Sequence, residues 1–501
     1  MSIKVNIAAN YLGQGWTALM QLAFIPFYIK YLGMEAYGLI GFFAMLQAGL
    51  ALLDMGMTPT LNREMARYKA GTHTTHSIRV LLRSIEVLSA GFALLIVLMV
   101  WLASDWLARH WLRAEQLSFN TVSHAISIMG LFAALRFVEG VYRGAILGLQ
   151  THAWLNGASS ILATVRALGA VAVLAWVSPS IEAFFVWQAF ISMITVAVFA
   201  KRVHSQLPTA NAAVYFSLLP ISKVWKFAQG MVVTAFLSLL LTHGDKVLLS
   251  RILSLEAFGT YMLAALVSNS LYVLIGPLAQ SYSPRFAELV ARREEAALIK
   301  AYHTGSQLMA VTVVPAALLL IFESQTLLNL WTNDAVLARN SAPYVALLTL
   351  GTAFLGLMNI PYMLQLAYGW STFAAKVNGV IVLVQIPTLI WITVRYGAMG
   401  AAWVWVAVTA SYIFVVIGIM HKYLLPTEKW AWYWRDNFMP IAAAASTGGL
   451  LSAISPATPN PWVTVVWLIF LGFAMFIAAV CGAPDLRLMA IERIRYWISK
   501  P

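Results

Sequence analysis

The residues of this sequence that could do chemistry are ionisable side chains embedded in apolar segments. Such groups are costly in a low-dielectric surround and are functional candidates by default. Arg136, Glu139 and Arg143 are spaced i, i+3, i+7, which places all three on one face of a helix. Two roles fit them: an ion-pair network locking helices together, or a basic lining around a closed cavity in which Glu139 orients the arginines. Arg166 sits near the middle of the next segment, with no carboxylate one turn away. An unpaired buried guanidinium is expensive, so Arg166 must meet a partner helix or an anionic ligand. Arg83 and Glu86 share a face, three residues apart. His243, Asp245 and Lys246 cluster further on; Asp245 and Lys246 are adjacent, so each is expected to reach a different helix. Asp245 suits a salt bridge across a bundle, or a coupling proton or sodium ion. Lys376 opens a later segment, as an interfacial lysine or as the floor of a second half. Asp54, shortly before Gly56 and Pro59, suits the backbone of a helix break or an ion relay.

In this set Arg83, Arg136, Arg143, Arg166, Lys246 and Lys376 outnumber Glu86, Glu139 and Asp245. Excess positive charge suits an anionic cargo, because arginine forks match phosphate oxygens. The six basic residues are the substrate-binding candidates. Asp245, Glu139, Glu86, Asp54 and His243 are the candidates for ion coupling or gating. No Walker A run, no His/Glu metal arrangement and no nucleophile beside a base is present, so neither an enzyme nor a bound cofactor is expected. The single cysteine, Cys481, excludes an intrachain disulfide and a cysteine-based metal cluster.

The elements that must position these groups are membrane spans. Of 501 residues, 61% are hydrophobic and 10% charged, with mean hydropathy +0.78, too little charge to cover a soluble protein of this size. The apolar windows reach the length a bilayer requires of a helix, and backbone groups in lipid must bond internally. Fourteen spans are expected, at roughly 6–29, 37–58, 81–103, 120–147, 155–177, 182–200, 224–250, 258–280, 303–323, 342–366, 372–394, 398–420, 438–455 and 462–482. The net charge of +13 sits mostly in the even-numbered connectors, for example Arg63, Arg67, Lys69 and Arg79, then Lys201, Arg202, Lys223 and Lys226. That bias places both termini in the cytoplasm and argues for anionic lipid rather than nucleic acid as the partner. Segment 60–80 reads as partly helical at the cytoplasmic surface, amphipathic or simply solvated. Asn10, Gln14 and Gln21 give the first span a polar stripe. Ser178-Pro179-Ser180 and the proline-rich run from Ser455 to Pro461 read as turns. The tail adds Arg487, Arg493, Arg495 and Lys500.

The chain also repeats itself. Leu32-Gly33-Met34-Glu35-Ala36-Tyr37-Gly38 matches Leu253-Ser254-Leu255-Glu256-Ala257-Phe258-Gly259, and each begins an apolar segment. The first twelve spans therefore form two sets of six in parallel repeat, with the last two additional. The expected fold is an all-α polytopic membrane protein: a six-helix bundle in 1–205, a second in 206–425, and an extra helix pair with a cytoplasmic tail in 426–501. Two like halves in a membrane are the usual layout of a secondary transporter, with a cavity between them. Glu35 and Glu256 fall at the outer ends of spans, where they would cap helices or brace an outer gate.

Tyr31-Leu32-Gly33-Met34-Glu35-Ala36-Tyr37-Gly38, then Leu52-Leu53-Asp54-Met55-Gly56, then Arg63-Glu64-Met65-Ala66-Arg67, resemble the start of bacterial Wzx-like polysaccharide (O-antigen) flippases. That family shares a superfamily with the lipid II flippase and the multidrug and toxin extrusion transporters. The resemblance implies two six-helix bundles around a central, often cationic cavity, and alternating access. It implies an undecaprenyl-diphosphate-linked oligosaccharide as cargo, moved from the cytoplasmic to the periplasmic leaflet of the bacterial inner membrane. It also implies membrane lipids and the polysaccharide polymerase machinery as partners. The extra helix pair is similar in number to that of the lipid II flippase, where it helps form a groove for the lipid tail. The diphosphate would engage Arg166 with Arg136 or Arg143, and a proton or sodium gradient would act through Asp245 or Glu139. Two other readings compete: an ion-coupled drug or organic-cation antiporter, which predicts a cavity rich in unpaired acids, and a membrane-bound enzyme acting on polyprenyl-linked glycans, which needs large periplasmic loops.

Overall fold

The computed structural model describes residues 13, 15–54, 56–208, 215–217, 219–455 and 460–498. Asn10, Gln14, Met55 and Lys500 lie outside the described residues, as do residues 456–459 of the proline-rich run. The side chains of Lys223, Lys226, Arg493 and Arg495 are likewise not described. Among the described residues the regular structure is all helical, apart from one isolated parallel bridge between Arg113 and Ser254. Among the described residues ten helical segments are long and apolar enough to cross a membrane. This is a polytopic membrane protein. Its outward faces carry Leu94, Trp101, Leu102, Leu383, Val384 and Phe473 exposed, which water would penalise and lipid accepts.

Helix starts follow local chemistry. Thr74, Ser118 and Ser180 each cap the helix that follows, accepting hydrogen bonds from the amides of Ser77, Thr121 and Ala183. The Ser371–Ser411 helix runs through two expected spans, 372–394 and 398–420. Forty-one residues of straight helix would reach about 60 Å, twice the hydrocarbon core. Gly397 breaks it, at φ 58° and ψ −145°, a conformation that needs glycine.

The described residues divide into two compact units, Met1–Gly259 and Thr260–Pro501. In the first, the Met57–Lys69 helix packs between Thr75–Trp106 and Phe119–Gly148, with Leu61, Met65, Ile78, Ile85 and Ile146 fully covered. A methyl group on Gly148 would overlap the Asn62 carbonyl oxygen, so glycine sets that approach. The segment expected at the surface around 60–80 is thus half embedded. In the second unit, Glu295–Phe322 is the central helix, packed by Ala335–Ala367, Met439–Ala453 and Pro461–Gly482 around Tyr302, Met309, Ile360, Trp432 and Met475.

Candidate functional site

A cavity of about 320 Å³ opens inside the first unit, lined among others by Tyr28, Arg136, Glu139, Arg143, Arg166 and Gln188. Three helices supply its charged wall. Phe119–Gly148 presents Arg136, Glu139 and Arg143 from one face, His152–Trp176 presents Arg166, and Ile181–Gln206 backs them with Gln188 and Ser192.

Glu139 lies between two guanidinium groups. Arg136 Nη1 donates to Glu139 Oε1 at 2.9 Å, and Arg166 Nη2 lies 3.6 Å from Glu139 Oε2. The sequence left Arg166 without a nearby carboxylate; the structure provides one from the neighbouring helix. Arg166 Nη2 also donates to Ser192 Oγ at 3.1 Å, and its guanidinium sits 5.9 Å from the Phe132 ring centre. Trp187 Nε1 donates to the Arg166 carbonyl, fixing the helix pair at that level. Arg143 makes no direct ion pair or hydrogen bond among the described residues. Among the described residues, two buried polar atoms on the cavity wall have no partner: Arg166 Nε and Ser159 Oγ. Three cations face one carboxylate, and buried donors stand unused. Such a wall can hold an anion with several acceptor oxygens.

None of the remaining candidates is among the residues that line this cavity. Arg83 is exposed and 3.8 Å from Glu86, whose other oxygen accepts from Tyr142 Oη at 3.0 Å and pairs with His204 Nε2 at 2.8 Å. Asp245 and Lys246, expected to reach different helices, pair with each other at 3.1 Å, because the long lysine stem folds back on its own helix. Lys246 also donates to the Thr242 carbonyl. His243 Nδ1 is buried without a partner. Asp54 accepts from Thr58 N at 3.1 Å and from Thr58 Oγ1 at 2.7 Å, spending its charge on the start of the Met57–Lys69 helix. Lys376 is exposed on the second unit.

A sequence profile of the family described as "Polysaccharide biosynthesis protein" matches residues 3–290, which include every residue that lines the cavity. The chain belongs to this polysaccharide biosynthesis protein family. A relative named "Putative O-antigen transporter", from Shigella flexneri, is 21% identical over 405 residues, covering 81% of this chain and 94% of that protein. Among solved structures, a lipid II flippase MurJ in an inward closed conformation superposes with TM-score 0.68 at 12% identity, covering 97% of this chain and 100% of that one. An inward-facing multidrug resistance MATE transporter gives TM-score 0.61 at 13% identity, covering 81% of this chain and 96% of that one. These likenesses extend the family's helical fold over nearly the whole chain.

Sequence reasoning missed two features of this family member. One is the uncharged lining: Tyr28, Phe43, Phe132 and the nearly buried Gln188. A glutamine inside an apolar span was the available signal. The other is a polar cluster in the second unit. His303 bonds Asp436 through Nδ1 and Glu428 through Nε2, the latter at 2.9 Å. Gln307 Nε2 donates to Asp436 Oδ1 at 2.8 Å, and Gln307 Oε1 accepts from Asp485 N at 2.9 Å. His303 and Gln307, one turn apart, were visible as a polar pair in an apolar run, but their partners are more than a hundred residues away. Outside the spans, burial works against the Glu64 carboxylate. Hydrogen bonds from His73 and Arg63, with the charges of Arg67 and Arg63, outweigh it and hold its pKa below the ordinary glutamate value.

Proposed function

We propose that this chain is a flippase. It moves an undecaprenyl-diphosphate-linked oligosaccharide from the cytoplasmic to the periplasmic leaflet of the bacterial inner membrane by alternating access. The observation that carries this is the cavity wall: among the described residues, Arg136, Arg143 and Arg166 surround the single carboxylate of Glu139, with Arg166 Nε and Ser159 Oγ unbonded. The transport described in the names of its O-antigen and lipid II relatives supports the same reading.

The fold proposed with it has fourteen spans: two six-helix bundles in pseudo-twofold repeat over 1–205 and 206–425, and an added pair with its tail in 426–501. Both termini lie in the cytoplasm. The diphosphate enters the cavity, takes hydrogen bonds from Arg143 and from the free Nε of Arg166, and leaves Glu139 to hold the rest of the guanidinium wall in place. Charge-assisted bonds of this kind contribute about 1.5–3 kcal/mol each. Sugars nearest the phosphate rest on Tyr28 and Gln188, and the polyprenyl tail stays in lipid. Asp245 and Glu139 remain the proposed route for any proton or sodium coupling. The test is translocation of a defined diphosphate-linked glycolipid in proteoliposomes, comparing the intact protein with Arg166→Ala. No movement of any such lipid by the intact protein rejects the flippase reading; unchanged movement in the variant removes Arg166 from the mechanism.

A further inference from the structure

The polar cluster of the second unit sits at the base of the added helix pair. After Ile417–Leu424 the chain turns at residues 425–428 and runs through 429–438 into Met439–Ala453. Pro461–Gly482 then returns it to Asp485, at the start of Pro484–Ile498. One short stretch of the central helix, residues 302–307, meets both ends of this excursion. Ser306 Oγ accepts from Trp432 Nε1 at 3.1 Å, and Gln307 Oε1 accepts from Asp485 N. Between these contacts the His303 ring bonds Asp436 through one nitrogen and Glu428 through the other. The wide turn of Trp432–Phe438 carries Asp436 inward, where it has no exposed surface.

The hydrogens of this cluster can be counted. An ionised carboxylate only accepts, so each contact needs a hydrogen from the ring. Burial works against the Glu428 carboxylate, which lies in the connector outside the spans. Hydrogen bonds from Thr427 and His303, with the charges of His303 and Arg435, outweigh burial and hold its pKa below the ordinary glutamate value, so it is ionised at neutral pH. Asp436 is held as an anion by Gln307 Nε2 at 2.8 Å and by Arg435 Nε, 3.3 Å from the same oxygen. The ring therefore carries both hydrogens, as an imidazolium. His421, whose side chain bonds Tyr302 next to His303, differs. Its Nδ1 donates to the Ile417 carbonyl at 3.0 Å, and the Tyr302 hydroxyl can supply the hydrogen for Nε2, so one ring hydrogen suffices. Among the described residues the charges on His303 are Asp436 and Glu428, with Arg435 behind them. Tyr302, His421, Tyr433 and Lys429 complete its titratable surroundings. Arg435 also reaches Asp485 at 3.6 Å. A proton lost from the ring leaves three carboxylates to one guanidinium.

We propose that His303 is a proton-operated latch on the base of the added helix pair. With two ring hydrogens it grips both Asp436 and Glu428; with one it keeps Asp436 and lets Glu428 swing into water, freeing the connector at residues 425–431. Glu428 is the jaw that moves, because its side chain is 21% exposed and that of Asp436 is fully covered. The latch holds at low pH and opens as pH rises. In the proposed topology the pH it follows is that of the cytoplasm. The test is hydrogen exchange of residues 425–431 in the full chain in lipid nanodiscs, at about pH 6 and about pH 9, corrected for the intrinsic amide rate. The wild-type connector should lose protection by at least about tenfold at the higher pH. Glu428→Gln should stay protected at both, since an amide accepts from the charged ring through its oxygen and donates to the neutral ring through its nitrogen. Equal corrected protection of the wild type at the two pH values overturns the latch, and so does a wild-type fall retained in Glu428→Gln. His303→Gln should make exchange independent of pH; a fall retained there assigns the effect to another group and overturns the latch as well. None of these readouts uses cargo, so they stand or fall apart from the flippase reading.

Discussion

At the scale of single residues, Glu139 decides whether the arginine wall is stable or strained. Among the described residues it is the one carboxylate within bonding reach of Arg136 and Arg166. Removing one member of a buried ion pair leaves uncompensated charge, at a cost of roughly 3–5 kcal/mol. Glu139→Gln should therefore lower the melting temperature in detergent. Inorganic pyrophosphate should then raise the variant's melting temperature more than that of the wild type, by supplying the missing negative charge. Equal response of the two proteins to pyrophosphate would count against an anion site here. Arg166→Lys gives a second test. A lysine keeps the charge but loses the planar fork and the buried Nε donor, so translocation should fall between wild type and Arg166→Ala. Glu64 offers a pH prediction outside the spans. Its folded pKa lies below the usual glutamate value near 4.3, so its stabilisation is complete above that pH and is lost as pH falls toward the folded value. Glu64→Gln should flatten the fall in melting temperature as pH drops below the usual glutamate range, relative to wild type. The i, i+3, i+7 spacing made the charged face of the cavity legible from the sequence. The pairing of Arg166 with Glu139 was not, because helix-to-helix register depends on packing that no local spacing encodes.

At the scale of elements, the helix ends were the most readable features and the helix contacts the least. Ser-Pro-Ser at 178–180 reads as a turn, and within that turn Ser180 caps the helix that follows. The half-buried setting of the Met57–Lys69 helix was hidden. Its basic side chains suggested solvent, while the cover over Leu61 and Met65 comes from helices distant in sequence. The Ser371–Ser411 helix carries a sharper claim. Gly397 has a backbone conformation that a side chain makes unfavourable by about 1–3 kcal/mol. Gly397→Ala should lower thermal stability by that amount, or straighten the helix and expose a segment to water. Limited proteolysis around residue 397 would reveal the second outcome. A variant with wild-type melting temperature and wild-type cleavage would show that the break does not depend on glycine.

At the scale of the whole molecule, the charge pattern and the repeat both specify which loops face which side, and this can be measured loop by loop. The basic connectors after even-numbered spans, such as the one carrying Lys422 and Lys429, should face the cytoplasm. The short neutral ones, such as 178–181, should face out. In the Cys481→Ser background, Val177→Cys and Thr427→Cys place one thiol on each kind of loop, both at exposed positions. A membrane-impermeant maleimide added to intact spheroplasts should label Val177→Cys and spare Thr427→Cys. In inverted vesicles the two should exchange. An odd number of spans between the two sites is what this pattern requires, so the experiment reads the count as well as the orientation. Labelling of both from the same side would break the fourteen-span scheme somewhere between residues 177 and 427. The 41-residue helix interrupted at Gly397 is the first place to look, since reading it as one span instead of two changes the parity.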